Sequence, residues 1–167
     1  FKPDVVHCHD WQTGLIPVYL KDRFRGGEFF TNMKSVMTIH NLKFQGVWDV
    51  KTIQRFSMLP DYYFTPDKLE AYKDGNMLKG GIVFADAITT VSQTYAEEIK
   101  MPFYGEGLDG LMRARSGDLR GIVNGIDYDE FNPETDKLIA QPYNAKNFRK
   151  EKGKNKKQLQ AQLGLPV

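Results

Sequence analysis

Short β-branched runs recur along the chain, and each ends on a cluster of polar residues. The first, DVVHCH from Asp4 to His9, stands behind Pro3 and reads as a strand buried in a parallel sheet. SVMTI (Ser35 to Ile39), DAITTV (Asp86 to Val91) and LRGIV (Leu119 to Val123) have the same character. Helical spacing fills the intervals. Leu15, Val18 and Tyr19 fall on one face of a helix expected from about Trp11 to Arg23, with Asp10 as its cap and Gly26-Gly27 closing the unit. NMLKGGIVFA, from Asn76 to Ala85, predicts a buried helix in which Gly80-Gly81 permits close packing. Ser92 is placed to cap the helix begun by QTYAEEI, and a short helix is expected near Leu111, after the glycine-rich turn YGEGLDG. The stretch from His40 to Gly75 is rich in aromatics, carries Pro60 and Pro66 and has no plain period. Short helical turns are expected within it, and a connection of that length is usually functional.

Strands alternating with helices predict an α/β fold: a doubly wound, Rossmann-like parallel sheet with right-handed crossovers. Beyond residues 1–141 the composition changes. Residues 142–167 read as a basic linker and a helix capped by Asn155, with Leu159 and Leu163 facing inward and Gly164 ending it. A lone helix that short is marginal in water, so it is expected to pack against something outside this chain.

Composition adds a few exclusions. The 167 residues, 41% hydrophobic and 26% charged, suffice for a substantial core. The chain begins FKPDVV, without an initiator methionine or a basic and apolar leader, so no signal peptide is expected. No run approaches the ~18 apolar residues of a membrane helix, and no membrane partner is expected. Cys8, the single cysteine, excludes an intrachain disulfide and fits a reducing cytoplasm. Its apolar surroundings predict a buried, inert thiol. The net charge of +2 is uneven: from Tyr143 to Val167 seven basic residues face one acid, leaving the remainder acidic by four charges. Such a tail attracts anions. No aromatic groups interleave with its lysines, so a solvated helix face is favoured over a nucleic-acid surface.

Ligands of open α/β sheets collect at the carboxyl ends of strands. There this sequence places His9-Asp10, His40-Asn41, Ser92 and Asn124-Gly125-Asp127. Any one of these groups could be a cap or a turn, but four together predict a crevice for a polar ligand. HCHD suggests a metal site only superficially. Alternation puts His7 and His9 on one face and Cys8 on the other, and a third ligand such as His40 would have to converge on them. No metal is expected, and His7 reads as a buried, hydrogen-bonded strand residue. No serine sits on a Gly-x-Ser-x-Gly elbow. GEGLDG follows no strand, which removes its dinucleotide reading.

Four strings change the weight of these readings. PDVVHCHDWQTGLIPVYL, KSVMTIHNLKFQGVW, LKGGIVFADAITTVSQTYAEEI and LRGIVNGIDYDEFNPETD closely resemble, in this order, the bacterial and plant-type glycogen and starch synthases. These are retaining glucosyltransferases of two-Rossmann-domain GT-B fold that use ADP-glucose. The resemblance implies the later part of the N-terminal, acceptor-side domain, leading to a C-terminal nucleotide-binding domain outside this chain. It implies an α-1,4-glucan acceptor such as glycogen, ADP-glucose as donor, no separate cofactor or metal, and a cytoplasmic setting. His40 matches the family histidine that meets the transferred glucose, Asn41 the position facing the acceptor, Asp10 an acid near the donor sugar and Asn124 the asparagine of the Asn-Gly-Ile-Asp motif. Gln45 and Trp48, with Phe44 where tyrosine is frequent, would line the acceptor side. Residue-level reasoning alone favours His40 as a strand-closing group; the ordered motifs around it favour sugar contact. Two rivals stay open: a sucrose or sucrose-phosphate synthase-like enzyme of the same fold, and a glucan-binding module without turnover.

Overall fold

In the computed structural model, which describes residues 1–166, Cys8, Met37, Ile88 and Leu119 stand in register across four strands, each 6% exposed or less. In chain order the strands are β1 (Val5–His9), β2 (Lys34–Ile39), β3 (Val47–Trp48), β4 (Glu70–Ala71), β5 (Asp74–Asn76), β6 (Ala87–Thr90) and β7 (Leu119–Gly121). The helices are α1 (Leu15–Lys21), α2 (Val50–Ser57), α3 (Met77–Phe84), α4 (Gln93–Glu98), α5 (Asp109–Ala114) and α6 (Phe148–Gln162). The main sheet has the order β1-β2-β6-β7 and is parallel throughout. The fold is therefore α/β, as the alternation of strand and helix patterns predicts.

The buried row meets Leu78 and Ile82 of α3, Ala96 of α4 and Met112 of α5 in one apolar cluster. A second cluster joins Leu15 and Val18 of α1, Ile53 of α2, Leu59, Tyr63 and Leu69 to Met77 at the start of α3. The two helices cross at glycines. A Cβ on Gly14 would lie 2.2 Å from the Met77 carbonyl oxygen, and one on Gly81 would lie 3.1 Å from the Gly14 Cα.

The opposite face of the sheet is open among the described residues: Val5, His7 and His9 are exposed, and Val36 and Ala87 only half-buried. His7 is thus exposed rather than buried, because the apolar cluster that packs the described helices of residues 1–124 against β1 lies on the other side, with Cys8. Its expected hydrogen bond is present, from ring Nε2 to Thr38 Oγ1 at 2.6 Å.

Three local expectations are corrected. Trp11–Thr13 forms a separate 3-10 turn ahead of α1, and the Asp10 carboxylate makes no cap hydrogen bond to it. The long irregular region contains, besides α2, a three-stranded antiparallel sheet of order β3-β5-β4. Helix α6 begins well before Asn155, whose side chain sits mid-helix and bonds both the N–H and the carbonyl of Gln141 at 2.9 and 2.7 Å. Leu159 and Leu163 are exposed, while Gly164, at φ +66°, ends the helix as expected. Compactness divides the chain into Phe1–Asn124 and the part from Gly125 onward, earlier than the composition shift at Pro142. No helix among the described residues is long and apolar enough to cross a membrane.

Asp86 ties three elements together. Its carboxylate accepts from Lys21 Nζ at 2.7 Å and from the Ser35 N–H at 2.8 Å, with Lys34 Nζ at 3.4 Å. Burial opposes its ionisation, but the hydrogen bonds from Lys21 and Ser35 and the two ammonium charges outweigh it and hold the carboxyl at about 2. A depressed carboxyl stabilises the fold above its unfolded value and loses that contribution as pH falls towards its folded one. Asp86→Asn is expected to destabilise the protein by about 2 kcal/mol at pH 7 and to flatten the fall in stability between about pH 4 and pH 2. Urea unfolding followed at both ends of that range measures it.

Candidate functional site

The parallel pairing of β1 and β2 sets His9 beside Thr38, so the two chains leave the sheet side by side. Asp10, the first residue past β1, has φ 52° and ψ −170°, a region populated almost only by glycine. Strain of this kind costs about 1–3 kcal/mol and persists where the surroundings enforce it, typically at functional sites. Here it carries the carboxylate sideways, where Oδ1 accepts the His40 backbone N–H at 2.8 Å. The expected cap is instead a clamp on the neighbouring strand end.

The loop that carries His40 is pinned on every side. Thr90 Oγ1 donates to the Ile39 carbonyl at 2.7 Å, and Tyr95 Oη accepts from the Leu42 N–H at 3.1 Å. Tyr95 itself is held by Ser92, which caps α4 as expected by accepting the Tyr95 N–H at 3.2 Å. Gln45 Nε2 donates to the Leu42 carbonyl and to the Glu106 carbonyl, both at 3.0 Å, while its Oε1 accepts from Asn76 Nδ2 at 2.6 Å. Both protons of the Gln45 amide are thus spent inside the protein, leaving one lone pair on Oε1 for a ligand. Asn41 is partly engaged: its Oδ1 accepts the Lys43 N–H at 3.0 Å in an Asx turn, and its amide protons face outward on an exposed side chain.

The His40 ring is exposed, and its Nε2 lies 3.0 Å from His9 Nδ1. His9 in turn packs against His7 at a tilt of 35°, the ring centroids 4.2 Å apart. Although the side chain is largely exposed, partial desolvation where its ring meets Thr38 lowers the His7 pKa, and the nearby His9 and His40 rings lower it further, so this ring favours the neutral form. Among the described residues, no group of three or more His, Cys, Asp and Glu side chains is placed to hold a metal ion.

An open groove of about 490 Å³ begins beside this cluster, lined by Trp11, Lys43, Phe44, Trp48 and Glu106 among others. Trp11 and Trp48 meet edge to face at 5.3 Å, and Phe44 is exposed. Gly46, at φ +63°, closes the turn beneath them, and a Cβ there would stand 2.6 Å from the Trp11 ring. Such rings give pyranose sugars an apolar face to stack on, while the polar edge supplies hydrogen bonds. Five of the six residues expected from sequence, Asp10, His40, Asn41, Gln45 and Trp48, lie on or beside this cluster and groove. Asn124 lies three residues past β7, two strands away from β2, and shares no hydrogen bond with the others among the described residues. His9 is one of the strand-end groups expected in a polar crevice, whereas Trp11 is legible only as part of the string His-Asp-Trp and its place in the groove comes from the fold.

Parallel strand ends that gather imidazole, carboxylate and amide groups next to an aromatic groove define an α/β domain suited to a polar, ring-shaped ligand. A family model for the starch synthase catalytic domain matches residues 1–114, and the chain belongs to that family. It is 71% identical over 165 residues to a glycogen synthase of Lachnospira eligens, covering 99% of this chain and 34% of that protein. A glycogen synthase of Thermotoga maritima is 56% identical over 166 residues with the same coverage. Among solved structures, the catalytic domain of starch synthase IV from Arabidopsis thaliana, bound to ADP and acarbose, superposes with a TM-score of 0.78. It is 34% identical and is matched over 99% of this chain and 34% of that one. The chain spans about a third of the length of the relatives it matches.

Proposed function

We propose that this chain is the acceptor-side part of a retaining glucosyltransferase of GT-B architecture. The parent transfers glucose from ADP-glucose to the non-reducing end of an α-1,4-glucan, in the cytoplasm, as a step of glycogen synthesis. The observation that carries this reading is the Asp10–His40 clamp beside the Trp11–Trp48 groove, in a chain of the starch synthase family. The relative solved with ADP and acarbose supports the nucleotide half of the proposal.

Glucosyl transfer passes through an oxocarbenium-like state, and catalysis rests on holding the ring and the acceptor hydroxyl in line. His40 is assigned to the transferred glucose, with its backbone fixed beforehand by Asp10. Asn41 offers its amide protons to the sugar, and Phe44 and Trp48 hold the glucan by stacking. Asn124 belongs to the donor side. Gln45 shapes the loop more than it touches sugar, since both of its protons are internal. The leaving ADP is stabilised from the second domain, by cations and helix N-termini.

The experiment is transfer of labelled glucose to glycogen by the full-length protein, with ADP-glucose and UDP-glucose compared. Transfer from ADP-glucose supports the reading. No transfer from either donor, with maltooligosaccharide binding retained, would replace it with a glucan-binding module.

A further inference from the structure

Two imidazole nitrogens 3.0 Å apart can hold one proton between them, not two. Whichever of His9 Nδ1 and His40 Nε2 donates, the other must accept. The two rings are thereby coupled, and Nδ1, for which no protein partner is found among the described residues, is the His40 nitrogen left for a ligand. The partner is itself immobilised. Thr13 Oγ1 accepts the His9 N–H at 2.7 Å and donates to the His9 carbonyl at 2.8 Å, closing a ring around its backbone. The His9 imidazole lies on His7, which is anchored on Thr38 Oγ1, and Thr38 Oγ1 meets Thr89 Oγ1 at 2.6 Å. Asp10, next to His9 on the same chain segment, fixes the His40 backbone. One segment therefore holds His40 at both ends, main chain and ring.

We propose that His9 is a positioning residue: it holds the Nε2 edge of the His40 ring so that Nδ1 is the nitrogen presented to the sugar. The inference rests on the glucosyl-transfer reading and adds a residue to it. An exposed imidazole left alone samples several rotamers, and selecting one of them at the moment of reaction raises the barrier. His9 makes that selection in advance. His40 touches the ligand; His9 acts through it.

The test uses the full-length protein. His9→Phe keeps a flat ring to pack against His7 and removes the nitrogen. His9→Asn returns a hydrogen-bonding atom close to the position of Nδ1. His9→Phe is expected to lower kcat by about tenfold with KM for glycogen little changed, and His9→Asn to recover most of that loss. Combined with His40→Ala, His9→Phe is expected to add nothing, because no ring remains to be placed. Wild-type kcat in His9→Phe, the same loss in the His40→Ala background, or no recovery in His9→Asn would each overturn the proposal. If the wild type transfers no glucose, the glucosyl-transfer reading falls first. NMR spectra of the histidine rings then decide separately: one His40 ring rotamer with a hydrogen-bonded Nε2 in the wild type, and rotamer averaging in His9→Phe, uphold the positioning role, and no difference ends it.

Discussion

Replacing His40 by alanine is expected to reduce glucose transfer by about 100- to 1,000-fold in the full-length protein, the loss typical of a preorganised transition-state contact. The fold should barely respond. The side chain is exposed, and its one hydrogen bond among the described residues is to another exposed ring, so stability should change by about 0.5 kcal/mol or less. The backbone N–H that Asp10 accepts remains in the variant, and so do the Thr90, Tyr95 and Gln45 bonds that pin the loop. Transfer kinetics and thermal unfolding measured on the same preparation separate the two quantities. A drop in cooperative unfolding that matches the lost activity would make His40 a structural group and end its assignment to the sugar.

Gly14→Val should do the opposite, abolishing the fold and the activity together. The dihedrals of Gly14 are ordinary helical ones, so backbone strain plays no part. The obstacle is contact. Even a single Cβ would stand 2.2 Å from the Met77 carbonyl oxygen and 2.7 Å from its carbon, both main-chain atoms that cannot rotate away. α1 would have to move off α3, and α3 is the helix that closes both apolar clusters. The movement would reach the site as well, because the N–H groups of Met77 and Leu78 bond the carbonyls of Gly46 and Gln45 beneath the groove. A loss of more than about 3 kcal/mol is expected, enough to leave a marginally stable domain largely unfolded. Circular dichroism and urea titration test this. A folded Gly14→Val variant with normal unfolding would mean that α1 and α3 are packed less closely than described.

The sheet was legible because its strands are β-branched runs closed by polar residues, a signal that survives without any tertiary knowledge. β3, β4 and β5 were not, since strands of two or three residues have no period to detect, and their pairing joins Trp48 to Gly75 across a long loop. Asn155 looked like a helix start because the segment around it is polar on all sides, so hydrophobic spacing marks no beginning. In the site, His40 and Asp10 stand out through the strings that carry them. Their relation does not: Asp10 reads locally as a cap, and only a φ of 52° turns its carboxylate to His40. Gln45 reads as an amide free for a ligand until Leu42, Glu106 and Asn76 are brought around it. His9 could be noticed, but a proton shared with a residue 31 positions away is a property of the folded sheet alone.

The burial of Cys8 gives this chain a built-in clock. It is the sole thiol, lies in the sealed row between β1 and α3, and burial pushes its pKa up against an opposing hydrogen bond from Thr13. A reagent that attacks thiolates reaches it only when the sheet breathes, so the labelling rate in native buffer reads the free energy of that opening. Cys8 lies between His7 and His9 on the strand that ends just before Asp10. A sugar seated against Asp10 and His40 must therefore slow the clock, and the slowing reports occupancy without any need for turnover.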